Sequence, residues 1–423
     1  IDIAELELDS LRIHLSGDLL TTMPLHELLL SGLERIELLA GGGALHRLSP
    51  HNLREVGFAE GEEVLVQPAH AHPAYGLLQE YFAFPRKFQF FDLTGLRGLL
   101  GTGDGFSVRL VFNRSARVLS MLSADNFLLG CVPVVNLFPM TSEPIRLDRR
   151  RYEYPLVPDY QREVITEVHS VISVTASDPR AERPHFIPSV FAQSDSEDGA
   201  SSNIFWAMRR EMSIRKDING TDVFLSFVDR SDVRTVPDEP IVFAQLLCTN
   251  RMLAEQISPG TRFFGEGVST STLIRTLYQP SAQRSPVMAA KALWSLVSLL
   301  RLNHRSLVDG TNGVHTLQQM LMLFAGDSAR DQAQVRGIKS LTATVATARL
   351  GNDTWRGHCR GTDIVLEFDA DAFVGTSPLV LAGVLSRFFS LYTAANSFVR
   401  LAVWRGGEPW MQWPALSGRQ CLI

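Results

Sequence analysis

Apolar and polar residues alternate through much of the first half of the chain. Leu11, Ile13 and Leu15 are separated by Arg12 and His14, the two-residue period of a half-buried strand. Phe106, Val108, Leu110 and Phe112 share one face of another strand, fed by the glycine turn at 101–105. Between them, His26 to Leu33 reads as a short helix, Arg35 to Leu39 as a strand, and Gly41, Gly42 and Gly43 as a flexible corner. From 152 to 265 the pattern is mostly β. Val164 to Val174 is rich in Val and Ile, and Ile241 to Cys248 is a similar apolar run. In Thr221 to Asp229 both faces are largely apolar, which predicts a strand buried on both sides, within a sandwich or under a helix. The acidic, glycine-bearing Ser194 to Ser202 predicts a loop.

From 270 to 325 the period becomes helical. Ser285-Pro286 predicts an N-cap with proline in the first turn, followed by a stripe of Val287, Ala290, Trp294, Val297 and Leu300. Val314, Leu317, Met320, Leu321 and Phe324 form the stripe of a second helix, and the linker between the two holds Asn303, His304, Gly310 and Gly313. Leu341 to Leu350 and Asp363 to Phe368 read as strands. Ser377-Pro378 then starts a helix bearing Leu381, Leu385, Phe388, Phe389 and Tyr392, and Phe398 to Trp404 reads as a closing strand. The expected fold class is α+β and multidomain: β-rich sheets, a helical hairpin and a C-terminal β-β-α-β unit. The expected segments are an N-terminal α+β domain at 1–151, a β-rich domain at 152–265, the hairpin at 266–330 and a C-terminal α+β domain at 331–423. The opening at Ile1, without Met and directly before a strand, suggests the middle and C-terminal part of a longer protein.

Composition narrows the function classes. A formal charge of -5 argues against non-specific nucleic-acid binding, and the triplet Arg149, Arg150, Arg151 reads as a solvated turn. Cys131, Cys248, Cys359 and Cys421 show no CxxC spacing, so neither a zinc knuckle nor a redox pair is indicated. The apolar stretch Phe127 to Phe138 is too short to span a bilayer, and Pro378 to Trp404 is broken by Arg387.

Candidate chemistry is sparse. The glycines of 101–105 lack the Lys-Ser/Thr of a phosphate loop and precede a strand, whereas phosphate loops open a helix. His70 and His72 lie in a proline-flanked segment with no acidic or cysteine partner nearby. Cys248 ends an apolar strand, the setting of a small hydrophobe. Glu367, Asp369 and Asp371 alternate with Phe368 and Ala370 like a solvated edge. No catalytic, cofactor-binding or metal-binding residues are assigned, and the reading is of a protein that is not an enzyme.

The densest feature is Tyr81 to Leu96, with five Phe and one Tyr in sixteen residues, broken by Pro85 and turned at Gly95. Tyr75 to Phe82 can be helical before that proline, so the aromatic residues form a local core at a helix-to-strand junction. In order, Glu80, Tyr81, Phe82, Pro85, Lys87, Phe88, Phe90, Phe91, Asp92, Leu93, Gly95 and Leu96 resemble the signature of the TssF family, also called VasA or ImpG. Asn136-Leu137-Phe138, Tyr154 to Asp159, Glu167 to Val171, Asp222 to Asp229, Cys248-Thr249-Asn250-Arg251, Leu302 to Leu307 and Arg387 to Tyr392 follow in the family's order. The resemblance therefore covers nearly the whole chain. Its structural signature residues are Tyr81, Phe82, Pro85, Lys87, Phe88, Phe90, Phe91, Asp92, Gly95, Asn250, Arg251, Asn303, His304, Phe388 and Phe389.

The resemblance implies a non-catalytic subunit of the type VI secretion baseplate wedge. The implied partners are TssG, TssE, TssK, the VgrG spike and a second TssF copy, with neither nucleic acid nor membrane insertion. Such a wedge primes sheath polymerisation in the cytoplasm, at the inner face of the bacterial inner membrane. The alternative it leaves is a wedge protein of a related contractile phage or injection-machine baseplate.

Overall fold

The computed structural model describes residues 3–40, 43–67, 74–177, 184–191, 203–215, 217–231, 233–300, 313–349 and 358–418. The chain forms two compact units. The first combines Ile1–Val134 with Ala290–Ile423, and the second is Val135–Ala289. The division differs from the four segments expected from composition: the helical hairpin and the C-terminal sheet join the N-terminal residues in one unit. The α+β class holds, with the helices and most of the aromatic core in the first unit.

The first unit opens with β1 (Ser10–Leu15), α1 (Leu19–Ser31), β2 (Leu33–Leu39), β3 (Leu45–Leu48) and β4 (Leu53–Val56). Next come α2 (Ala74–Ala83), β5 (Phe90–Thr94), β6 (Ser107–Phe112) and β7 (Phe127–Leu128). Two sheets result, ordered β4-β5-β1-β7 and β3-β2-β6, with every pairing antiparallel. Helix α1 begins seven residues before the expected start at His26, and Pro24 lies inside it. Pro24 removes the bond to the Leu20 carbonyl and crowds it, while the amides of Thr21 and Thr22 close the first turn on the Asp18 carbonyl.

The second unit is a β-sandwich. It contains β8 (Phe138–Thr141), β9 (Ile145–Arg146), β10 (Glu153–Pro155), β11 (Glu167–Ser177), β12 (His185–Ile187), β13 (Ile204–Met212), β14 (Thr221–Asp229) and β15 (Ile241–Thr249). The short strands β16 (Arg262–Phe263) and β17 (Ile274–Arg275) follow. One sheet runs β12-β11-β15-β8, with β9 also on β15, and the other β10-β14-β13. Val168, Val174, Val242, Ala244, Leu246 and Cys248 of the first meet Tyr154, Trp206, Val223, Leu225 and Phe227 of the second in one core. Strand β14 has one buried face; the other is half-buried. Phe224 on that side lies under the Arg209 guanidinium at 4.9 Å, so a cation covers the ring where a core was expected.

The chain then returns to the first unit through α3 (Ala290–Leu300), α4 (Gly313–Ala325), α5 (Ala329–Arg336), β18 (Ile338–Arg349), β19 (His358–Phe368), α6 (Pro378–Tyr392), β20 (Phe398–Arg405), β21 (Glu408–Gln412) and β22 (Leu416–Ser417). Helices α3 and α4 are the hairpin pair, and their linker lies outside the described residues. Two expectations fail at α3. Ser285-Pro286 does not cap it, because Gln283 holds the preceding segment extended: its amide donates to Glu255 Oε1 at 2.9 Å and its side chain to Glu167 Oε2 at 2.6 Å. Val287, Ala290, Trp294 and Val297 of the apolar stripe are also exposed rather than packed, with Trp294 at 72% and Val297 at 44%. By contrast Ser377 does cap α6, its Oγ accepting from the Leu379 amide at 3.1 Å.

Strands β19 and β20 run parallel, a pairing that needs the crossover α6 supplies. Leu379, Leu381, Val384, Leu385, Phe388 and Phe389 of α6 are fully buried, and they share one core with Leu78, Tyr81 and Phe82 of α2. The Tyr75 and Tyr392 hydroxyls hydrogen-bond across this contact. The sheet admits no side chain at Gly361, where a Cβ would run into the Phe398 ring and carbonyl. Gly361→Ala is therefore expected to cost about 1–3 kcal/mol in urea denaturation, since overpacking displaces a backbone that cannot yield.

Candidate functional site

Two buried ion pairs, one in each unit, each anchor a network of interior polar groups. In the first unit α2 ends before Pro85, and a single 3₁₀ turn, Pro85–Phe88, brings Lys87 back against Glu80 of the helix. Both side chains are 1% exposed, and Lys87 Nζ donates to Glu80 Oε2. The other carboxylate oxygen accepts from the amides of Val64 and Leu65 at 2.6 and 2.9 Å. One carboxylate thus ties a helix, a turn and an incoming loop together.

The same turn is held from α1. His26 Nε2 donates to the Phe88 carbonyl at 3.1 Å, and Gln89 Nε2 to Thr22 Oγ1 at 2.7 Å. Phe88 packs against Phe58 and Tyr81, while Phe91 faces His26 at 4.9 Å. Asp92 takes a two-pronged bond from Arg12, both contacts at 2.8 Å, across the β1–β5 pair. Gly95 has φ of +76°, and a Cβ there would meet Asn52 Nδ2 at 2.7 Å.

In the second unit Glu167, at the start of β11, is the hub. Thr221 donates to its Oε1 through both amide and hydroxyl, at 2.8 and 2.5 Å, and Arg251 reaches Oε2 at 3.3 Å. Arg251 also donates to the carbonyls of Thr166 and Asn219, each at 3.1 Å. Its φ of +47° is rare for a side chain of this size, and these partners hold it there. Gly220, φ +139°, lies under the pair: a Cβ would meet Glu167 Oε2 at 2.6 Å. Arg210 joins through Thr221 Oγ1 and the His169 carbonyl, and burial lowers its pKa against the pull of Glu167. Asn250 donates to Asn136 Oδ1 at 3.2 Å.

Tyr81, Phe82, Phe88, Phe388 and Phe389 therefore meet in one core of the first unit, beside Lys87. Phe91 packs in the adjoining cluster and Phe90 is buried beside it. Asn250 and Arg251 serve the second unit. Asn303 and His304 lie outside the described residues, as do His70, His72, Cys421 and the loop at 194–202. Sequence reasoning names Glu167 only within a family motif and does not single out Arg210; the available signal was a carboxylate opening an otherwise apolar strand.

The other candidates are structural. Cys248 is buried in the sandwich, which pushes its thiol up to about 11 and leaves it protonated at neutral pH. Asp369 pairs with Lys339 at 3.4 Å and caps the turn at Asp371. Arg149 and Arg151 pair with Asp238 and Asp148. Among the described residues no group of three His, Cys, Asp or Glu could hold a metal ion. A cavity of about 250 Å³ in the first unit is lined by Glu27, Thr376, Arg405 and Trp410 with apolar neighbours. Burial raises the Glu27 pKa, yet no histidine or second carboxylate lines the cavity to work with it. No described helix is long and apolar enough to cross a membrane.

A family model described as "Type VI secretion system, TssF" matches residues 1–420. This chain belongs to the TssF family. The type VI secretion system component TssF1 of Pseudomonas aeruginosa is similar at 30% identity, over 98% of this chain and 70% of that protein. A chain of the cryo-electron-microscopy structure of a type VI secretion TssK–TssF–TssG baseplate subcomplex shares the fold, with a TM-score of 0.73 at 21% identity. That likeness covers 98% of this chain and 76% of the other.

Two predictions follow from the geometry. Lys87→Met is expected to destabilise the protein by about 3–5 kcal/mol in urea denaturation, because Glu80 would be left charged and buried. Adding Glu80→Leu should restore part of this loss, the remainder reflecting the unpaired amides of Val64 and Leu65. Burial also lowers His14 and His26 to about 4. Both are neutral in the folded protein, whereas the unfolded chain takes up their protons near its ordinary value of 6.5. Stability is thus full above about pH 6.5 and falls as the pH drops toward 4. Denaturation midpoints across this window should show the decline, and His26→Gln should lessen it, leaving the part due to His14.

Proposed function

We propose that this chain is a non-catalytic structural subunit of a type VI secretion baseplate, holding TssG and TssK in a wedge. The observation that carries the reading is the match of the TssF family over residues 1–420. The fold shared with a chain of a TssK–TssF–TssG subcomplex supports it. So does the use made of the described signature side chains, which are taken up in the packing and hydrogen bonding of the two units. The finer picture adds TssE, a second TssF copy and the VgrG spike, with the finished wedge priming the sheath at the cytoplasmic face of the inner membrane.

Co-expression with TssG and TssK from the same genome tests the reading. The chain should co-elute with both in size-exclusion chromatography as a complex of fixed stoichiometry. Elution apart from both would overturn it. Arg251→Ala, which loosens the second unit, should lower the yield of complex in proportion to the loss of thermal stability.

A further inference from the structure

Strands β16 and β17 form a ribbon that none of the hydrophobic cores includes. Every residue from Ser258 to Leu273 is exposed, and this stretch includes Phe263 and Phe264, the latter at 84%. The base of the ribbon is nevertheless well ordered by hydrogen bonds. Gly260 donates to the Thr276 carbonyl at 2.8 Å, Thr276 to that of Thr261 at 3.0 Å, and the hydroxyls of both threonines to Ser258 at 2.7 and 2.9 Å. A segment with nothing to pack on is thus held in one shape, the condition for binding at low entropic cost.

The register of the ribbon shows what is missing. Arg262 stands directly opposite Arg275, and Phe263 opposite Ile274. Like charges facing each other across a strand pair repel. Neither arginine has an ion-pair partner among the described residues, and Glu266, the ribbon's one carboxylate, pairs with neither. Because side chains alternate along a strand, the two guanidinium groups share one face and Phe263 and Ile274 the other. One face calls for carboxylates and the other for apolar cover.

We propose that this ribbon inserts into a cleft of another subunit of the assembly, with carboxylates on one wall and apolar side chains on the other. The inference rests on the baseplate reading above. A second copy of this chain fits less well, since a two-fold contact would set arginines against arginines. A lipid surface also fits less well. The exposed Val268 and Leu273 at the tip of the ribbon are separated by Ser269, Thr270, Ser271 and Thr272, with Glu266 beside them, so no continuous apolar face is offered to a bilayer.

The test uses the chain with TssG and TssK, comparing the wild type with Arg262→Glu/Arg275→Glu and Phe263→Ser/Ile274→Ser. As the ribbon lies outside the cores, both variants should melt with the wild type. Each should bind at least about tenfold more weakly in biolayer interferometry, as loss of a central anchor does. The charge variant should also lose the salt dependence of the wild type. Binding within about twofold of wild type by both variants, beyond the scatter expected of rim residues, would overturn the proposal and leave the baseplate reading intact. Failure of the wild type to bind sinks both. Arginine-dependent flotation with phosphatidylserine vesicles, or a self-association that the variants abolish, would overturn the proposal in favour of a membrane or a second copy.

Discussion

The pairing of Glu80 with Lys87 is the contact on which the first unit turns. A lone carboxylate in this core would be costly to hold ionised. Opposed by an ammonium and two amides, it becomes the fastening point for α2, the 3₁₀ turn and the loop at Val64–Leu65. That fastening sets the direction in which the chain leaves the helix, and so places Phe88 inward and β5 in register with β1. The aromatic side chains then fill the space which the ion pair has defined. Replacing the pair with apolar groups could be tolerated energetically; removing one member could not.

The second unit solves the same problem with different parts. Glu167 gathers Thr221, Arg251 and Gln283, so one carboxylate joins the edge of β11, the start of β14 and the segment leading out of the unit. Arg251 accepts an unfavourable backbone angle to reach it, and Gly220 gives up its side chain to make room. In both units polar groups fix where the sheets end and hydrophobic groups fill what lies between.

Much of this was legible in the residues. Strand periods found β1, β14 and β15, and the ordered aromatic string Tyr81 to Leu96 marked both the helix-to-strand junction and the family. What stayed hidden was long-range. Nothing local in Tyr75 or Leu78 indicates packing against α6, some three hundred residues later. A helical stripe shows that a face is apolar but not what covers it, and so the exposure of Trp294 was not foreseen. Ser-Pro caps a helix at 377 and not at 285 because Gln283 is held elsewhere, a fact of tertiary structure. The angle at Arg251 and the like-charge pair on the ribbon both depend on register, which spacing alone does not reveal.

The discontinuity of the first unit has a consequence for biosynthesis. Its two halves are separated by the whole of Val135–Ala289, about 150 residues. At typical synthesis rates the N-terminal half waits roughly 8–30 s before the second half begins to leave the ribosome. During that interval Tyr75, Leu78, Tyr81 and Phe82 lack the α6 side chains that complete their core in the finished protein. Hydrophobic surface exposed for that long is prone to aggregate. Its vulnerable period is set by the length of the insertion, and no single contact in the finished protein determines it.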